Sequence, residues 1–300
     1  MRRKGRFVLA VAVVLATAFL LVRYVAFFPG DREKAPRRAR GGIEEHVYGG
    51  LPEEGAVLIR NGYVLSYDAD RRVPSWVAYH LRPDYVKTPG RRGGYARFRT
   101  DAEVEHPVRP GDYRGTGYHR GHLAPYFAMG GDRDGDGLYA ADGDREDQET
   151  VFEVNRMSNI APQHAAFNGS GGVWYGLETW VREEVVKKRG REAWVFAGCV
   201  FGPGEHEKIG PDGDIHVPPM FFKIVIVQGV SEPMVLAFLF PHQRVIHRSG
   251  KERIFPYFLV SVDVIEALTG LNFFRGLEGE EVLEKVDTWV NWKQFVHMHP

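Results

Sequence analysis

The run His119-Arg120-Gly121-His122 sets two imidazoles and a guanidinium around a glycine, and Leu123-Ala124-Pro125 follows. Two further polar clusters lie downstream. One is Met157-Ser158-Asn159-Ile160-Ala161-Pro162-Gln163, and the other is Phe167-Asn168, followed by a helical stretch bearing Glu178 and Arg182. These types match the needs of phosphodiester cleavage: an activated water, neutralised phosphoryl oxygens and help for the leaving oxygen. A histidine can take a proton near neutral pH. The carboxamide of Asn168 and the carboxylate of Glu178 offer the oxygen ligands preferred by a hard cation such as Mg²⁺. Arg120 can grip a phosphate in forked geometry. Arg182 stands at i+4 from Glu178, so the two share a helical face, which also fits a simple surface ion pair. His119 and His122 could instead begin a zinc site, although no third ligand stands at suitable spacing.

The spacing of these clusters resembles the DNA/RNA non-specific endonuclease family, which has a ββα-metal core and includes secreted bacterial nucleases and mitochondrial endonuclease G. The first block, His119-Arg120-Gly121-His122-Leu123-Ala124-Pro125, is similar to the family's Asp-Arg-Gly-His signature. Asn155, Ser158-Asn159-Ile160 and Pro162-Gln163 match the second block, and Asn168, Trp174 and Leu177-Glu178 match the third. Weaker similarity extends the likeness from about residue 50 to 280. The resemblance implies that His122 is the general base, that Asn168 is the direct ligand of a largely hydrated Mg²⁺ (with Mn²⁺ as a substitute), and that Glu178 orients water around the metal. Arg120 is carried over as a catalytic residue. Arg97, Asn155, Asn159 and Arg182 are expected to hold substrate, with Arg99 the alternative to Arg97. The implied partners are DNA and RNA, and a homodimer stays open. The chain departs from the family pattern at His119, where the family has Asp. It also lengthens the gap from His122 to Asn168, and Gly169-Ser170-Gly171-Gly172 resembles a small insertion. The His119 change leaves a second reading open, a member that binds nucleic acid or a partner without cutting it.

Most of the longer gap is acidic. Residues 132–149 contain eight acids and two bases. Asp132, Asp134 and Asp136, followed by Gly137, follow the Asp-x-Asp-x-Asp-Gly pattern of calcium loops, so the insertion 130–150 is a candidate Ca²⁺ site. The closing acid of such a loop would fall on Gly143, between Asp142 and Asp144, so a solvated acidic loop stays open as well.

The elements that must position these residues can be read coarsely. The formal net charge is zero, with 39 basic and 39 acidic residues. That balance hides a basic N-terminal tail and an acidic body, which argues against an extended nucleic-acid-binding face. Residues 82–120 carry nine bases against five acids, so a local basic groove remains available beside the histidines. Cys199 is the sole cysteine, which rules out an intramolecular disulfide and a multi-cysteine zinc site. Ala56–Ser66 reads as a hairpin around Asn61-Gly62. Pro74–Leu81, Ala193–Phe201, Met220–Val227 and Val235–Phe240 read as strands. Val173–Arg189 has helical spacing closed by Gly190, and Ser261–Thr269 is a helix closed by Gly270. This order predicts an α+β fold, a ββα-metal nuclease core on a central, mostly antiparallel sheet.

At the N-terminus, Arg2, Arg3, Lys4 and Arg6 precede the uncharged run Phe7–Val22. Residues 1–28 are expected to be a signal-anchor or a signal peptide, which would give a membrane partner or a secreted or periplasmic protein and would place the rest outside the cytoplasm. Residues 29–45 read as a linker and 46–300 as the nuclease domain.

Overall fold

The computed structural model describes residues 42–229, 232–243, 254–284 and 288–297. The expected membrane or signal segment 1–28 and most of the linker lie outside the described residues. Among the described residues no helix is long and apolar enough to cross a membrane.

The framework is a seven-stranded sheet. In chain order its strands are β1 (Leu58–Ile59), β2 (Val64–Asp68), β3 (Val73–Leu81), β6 (Ala193–Val200), β9 (Met220–Val227), β10 (Met234–Pro241) and β11 (Leu259–Val260), and they lie side by side in that same order. Every neighbouring pair is antiparallel. The Asn61-Gly62 turn joins β1 to β2, as its turn chemistry predicts. The central strands read as almost unbroken apolar runs because both faces of the sheet are covered. Along β6, Val195, Ala197 and Cys199 join one core cluster, whereas Phe196 and Val200 join the other. The period-two pleat thus divides one run between two cores. Gly198 is required where β6 meets β9, since a Cβ there would lie 2.3 Å from the Phe222 ring and 2.4 Å from the Ser75 carbonyl oxygen.

On one face lie α1 (Ile43–His46), the Phe273-Phe274 pair and α5 (Val262–Thr269). Ser261 precedes α5, and Gly270 ends it with φ +75°. Residues 43–45, which composition assigns to the linker, belong to α1, and the Glu45 carbonyl accepts the Trp194 indole N–H.

The other face carries the candidate site. Two short strands, β4 (His119–His122) and β5 (Ile160–Gln163), pair antiparallel as a separate ribbon, with His122 opposite Ile160. Between them the acidic insertion leads into α2 (Arg145–Glu153), capped by the Asp144 side chain. After β5 come the single turn α3 (Ala165–Asn168) and α4 (Val173–Trp180). The expected helix 173–189 is therefore one rod with a change of winding: it is an α-helix to Trp180 and a π-helix from Val181 to Lys188. Its apolar side, including Trp174, Leu177, Val181 and Val185, packs into the larger core. Two remaining strands, β7 (Lys208–Ile209) and β8 (Ile215–His216), form a small outlying hairpin. The terminal helices are α6 (Glu280–Glu284) and α7 (Thr288–His297).

Candidate active site

The β4–β5 ribbon and α4 form two walls of a cleft of about 810 Å³. Along β4, His119 and Arg120 are exposed, whereas Gly121 and His122 are buried. Gly121 is needed for this arrangement, because a Cβ at that position would lie 2.0 Å from the Gln163 side chain on β5. The ribbon is tied to α4 by Trp174, whose indole N–H donates to the His122 carbonyl at 3.2 Å.

His122 lines the cleft and is only 8% exposed. Its Nε2 lies 3.1 Å from Asn155 Oδ1. The Asn155 amide is oriented by its other end, where Nδ2 donates to the Tyr95 carbonyl at 3.0 Å. Oδ1 is therefore an acceptor, Nε2 carries the proton, and Nδ1 is left as the basic nitrogen. Burial pushes the His122 imidazole down to about 3, Arg91 and Arg120 add to the shift, and the bond to Asn155 opposes it. The ring is thus neutral, and ready to accept a proton, throughout the neutral range.

Asn155 and Asn159, expected to shape the site or hold phosphate, do not line the cleft. Asn155 is fully buried behind His122. Asn159 is equally buried and spends its amide on the backbone: Nδ2 donates to the carbonyls of Ala124 and Val154, and Oδ1 accepts the Ala124 N–H, each at 2.9 Å. Both side chains are framework, since a carboxamide is the side chain that can satisfy a buried donor and acceptor together.

Neither Arg97 nor its alternative Arg99 lines the cleft. Arg97 is exposed and outside the cleft. The Arg99 guanidinium is committed to the carbonyls of Arg97 and Gly94 and lies over the Phe152 ring. Arg91 lines the cleft instead, 3.5 Å from Asn155 Oδ1, with its guanidinium over Phe98 and Tyr126. Further along the segment, Arg99 N–H donates to the Asn155 carbonyl and the Arg99 carbonyl accepts the Met157 N–H. The basic character of residues 82–120 was visible in sequence, but which arginine lines the cleft was not.

Arg120 lies exposed across the same Phe98 ring at 4.4 Å. Arg114 and Arg182 also line the cleft. The Glu178–Arg182 pair anticipated from i, i+4 spacing does not form. Arg182 Nε donates to Glu183 at 2.8 Å, whereas Glu178 pairs with Lys223 of β9 at 3.1 Å. The Glu178 and Lys223 side chains are 8% and 1% exposed. Burial pushes the Glu178 carboxyl up and the Lys223 ammonium down, each opposed by its partner. The ammonium also sits 3.7 Å from the centre of the Trp174 indole. Lys223 was missed in sequence, although one lysine inside the apolar run Met220–Val227 is a usable signal.

Asn168 ends α3 and lines the cleft, so it is not the N-cap of α4, a position held by Gly172. Its carboxamide has no hydrogen-bond partner among the described residues. Near it, the cleft offers oxygen donors from Asn168 and Glu178. Among the described residues no three-residue group of metal-ligating side chains includes His119 or His122, so the zinc alternative gains no support. The cleft is lined by four arginines and two histidines against one carboxylate, already matched by a lysine. It is therefore a positive groove in an acidic body.

Residues 44–280 match the family model for DNA/RNA non-specific endonuclease. The chain is 28% identical over 237 residues to the mitochondrial nuclease EXOG of Xenopus laevis, covering 74% of this chain but 59% of that relative's length. It is 30% identical over 236 residues to the mitochondrial endonuclease G of Homo sapiens, covering 75% of this chain and 71% of the relative. Among solved structures it is similar to endonuclease G in the EndoG/EndoGI complex described as showing the mechanism of EndoG inhibition, with TM-score 0.62, 25% identity, and coverage of 77% of this chain and 90% of the other. The chain belongs to the DNA/RNA non-specific endonuclease family.

Proposed function

We propose that this protein is a Mg²⁺-dependent endonuclease that hydrolyses phosphodiester bonds of DNA and RNA with little sequence specificity. The observation that carries this reading is the bond from His122 to the oriented Asn155 amide, which leaves Nδ1 as a base inside an arginine-rich cleft. Arg91 and Arg120 both sit against the Phe98 ring and would grip a phosphate of the backbone. They also depress the His122 pKa in the free protein. A bound phosphate offsets those two charges, so the imidazole becomes more basic when substrate arrives. His122 then takes the proton of the attacking water at Nδ1, and Asn155 holds the imidazolium that forms. Arg182 contacts the same strand from the opposite wall.

The unpartnered Asn168 carboxamide beside the Glu178 carboxylate fits a hard, partly hydrated cation. Asn168 would hold it through Oδ1, with Glu178 ordering the surrounding water. When bound, Mg²⁺, or Mn²⁺ in its place, neutralises phosphoryl charge and helps the leaving oxygen depart. Lys223 opposes the rise that burial gives the Glu178 carboxyl.

Plasmid and RNA digestion with EDTA, Mg²⁺, Mn²⁺ and Ca²⁺ tests this reading. Cleavage that needs Mg²⁺ and is abolished by His122→Ala, with the circular dichroism spectrum unchanged, is expected. Wild-type cleavage by His122→Ala would overturn the mechanism. Metal-independent DNA affinity without cleavage by the wild type would favour the binding-only alternative that His119 leaves open. The apolar run Phe7–Val22 places the activity outside the cytoplasm in this reading, which fractionation of the full chain checks.

A further inference from the structure

The acidic insertion plays no part in the cleft. Asp132, Asp134 and Asp136 each bring a carboxylate oxygen within 4.8 Å of the other two, and Asp134, Asp144 and Asp147 form a second such group. The two triples share Asp134, which links the loop to the start of α2. No basic side chain pairs with any of them among the described residues. Arg133, their neighbour in sequence, turns away: its guanidinium stacks 4.0 Å from the centre of the Tyr85 ring and donates to the Ala128 carbonyl.

Asp147 is the independent observation. It belongs to α2, outside the Asp-x-Asp-x-Asp pattern, and it is 2% exposed. Its Oδ1 accepts the Arg133 N–H at 3.1 Å, while its Oδ2 is buried without any hydrogen-bond partner. A carboxylate oxygen removed from water without a donor is costly, and neighbouring negative charge makes it more so. A cation is the partner this arrangement lacks.

We propose that the insertion binds one structural Ca²⁺ between the Asp132–Asp136 loop and the first turn of α2, with Asp134 and Asp147 as its central ligands and Asp132, Asp136 and Asp144 completing the set. The chemistry selects Ca²⁺. The donors are all hard oxygens, which excludes the softer metals that histidine and cysteine favour. So many carboxylates suit the six to eight flexible ligands of Ca²⁺ better than the octahedral, water-retaining shell of Mg²⁺. Counting from Asp132 puts Gly143 at the closing position of an ordinary calcium loop. Here the closing carboxylate comes from the following helix.

The ion would also steady the cleft. The Ala140 carbonyl in the insertion accepts the Tyr95 hydroxyl at 3.0 Å, and the Tyr95 carbonyl orients Asn155. Asn155 itself follows α2 directly. The Ca²⁺ site therefore buttresses both supports of the His122 partner, yet it stands independently of the nuclease reading.

The test uses the full chain and Ca²⁺ itself. Isothermal titration in millimolar Mg²⁺ should show one saturable Ca²⁺ site per chain, and Ca²⁺ should raise Tm. Asp134→Asn with Asp147→Asn should weaken binding at least tenfold. These exchanges are isosteric and relieve buried charge, so the metal-free double variant should melt no lower than the wild type. Asn168→Ala should bind Ca²⁺ unchanged, since that residue lies in the cleft. Absence of saturable binding, undiminished binding by the double variant, or loss of binding in Asn168→Ala would each overturn the proposal.

Discussion

Replacing Asn155 by Ala removes the acceptor of the His122 Nε2 proton while leaving every cleft-lining side chain in place. The lost bond is 3.1 Å long and fully buried, and the donor it strands belongs to a ring that is 8% exposed. Leaving a buried donor unsatisfied costs about 1–3 kcal/mol. The ring also loses the contact that selects its tautomer, so part of the population will carry its proton on Nδ1 and lack a base. If that cost is felt in the transition state, kcat falls roughly 5- to 150-fold, with little change in KM. Single-turnover cleavage of a plasmid in saturating Mg²⁺ measures the rate, and ¹⁵N NMR of the labelled histidine reads the tautomer. Wild-type protein should show Nε2 protonated, and the variant a mixture. A wild-type ring protonated at Nδ1, or a variant whose kcat stays within twofold, would refute the argument that Asn155 positions the base.

Three other outcomes follow from the same geometry. Lys223→Met strands the buried Glu178 carboxylate and should destabilise the fold by about 3–5 kcal/mol, whereas adding Glu178→Gln should restore most of that loss; chemical denaturation of both variants checks it. Because His122 drops from 6.5 to about 3 on folding, its contribution to stability is complete above pH 6.5 and is lost as pH falls toward 3. Asp147, raised from 3.8 to about 7, acts oppositely: its contribution is complete below pH 3.8 and fades as pH rises to 7, so Ca²⁺ should stabilise the protein more at pH 7 than at pH 5 in thermal melts. Arg91→Ala should weaken DNA binding and lower the slope of log affinity against log salt by about one, with Arg97→Ala near wild type, as anisotropy titrations will show.

The local elements were legible because their signals are local. The Asn61-Gly62 turn, the apolar strands and the Gly270 helix stop each depend on a few adjacent residues. The change to π-winding at Val181 was not legible, since helical spacing over so short a run does not separate the two. The Glu178–Arg182 ion pair, an alternative suggested by spacing along one helix, does not form: Glu178 takes Lys223 from β9, and Arg182 turns to its neighbour Glu183.

Sequence alone determined the family and pointed to five residues that line the cleft: Arg120, His122, Asn168, Glu178 and Arg182. Their identities are constrained by the chemistry, and short motifs carry them. Tertiary structure alone decided their partners. Asn155 lies behind the histidine, where Arg99 and Met157 pair their backbones beside it, and Arg91 rather than Arg97 lines the cleft. Lys223 reaches Glu178 from a strand packed beneath α4, and Asp147 meets the Asp132–Asp136 loop from the next helix. These contacts join residues up to 64 positions apart. Burial sets how strongly each charge acts, and burial is a property of the packed chain rather than of any segment read alone.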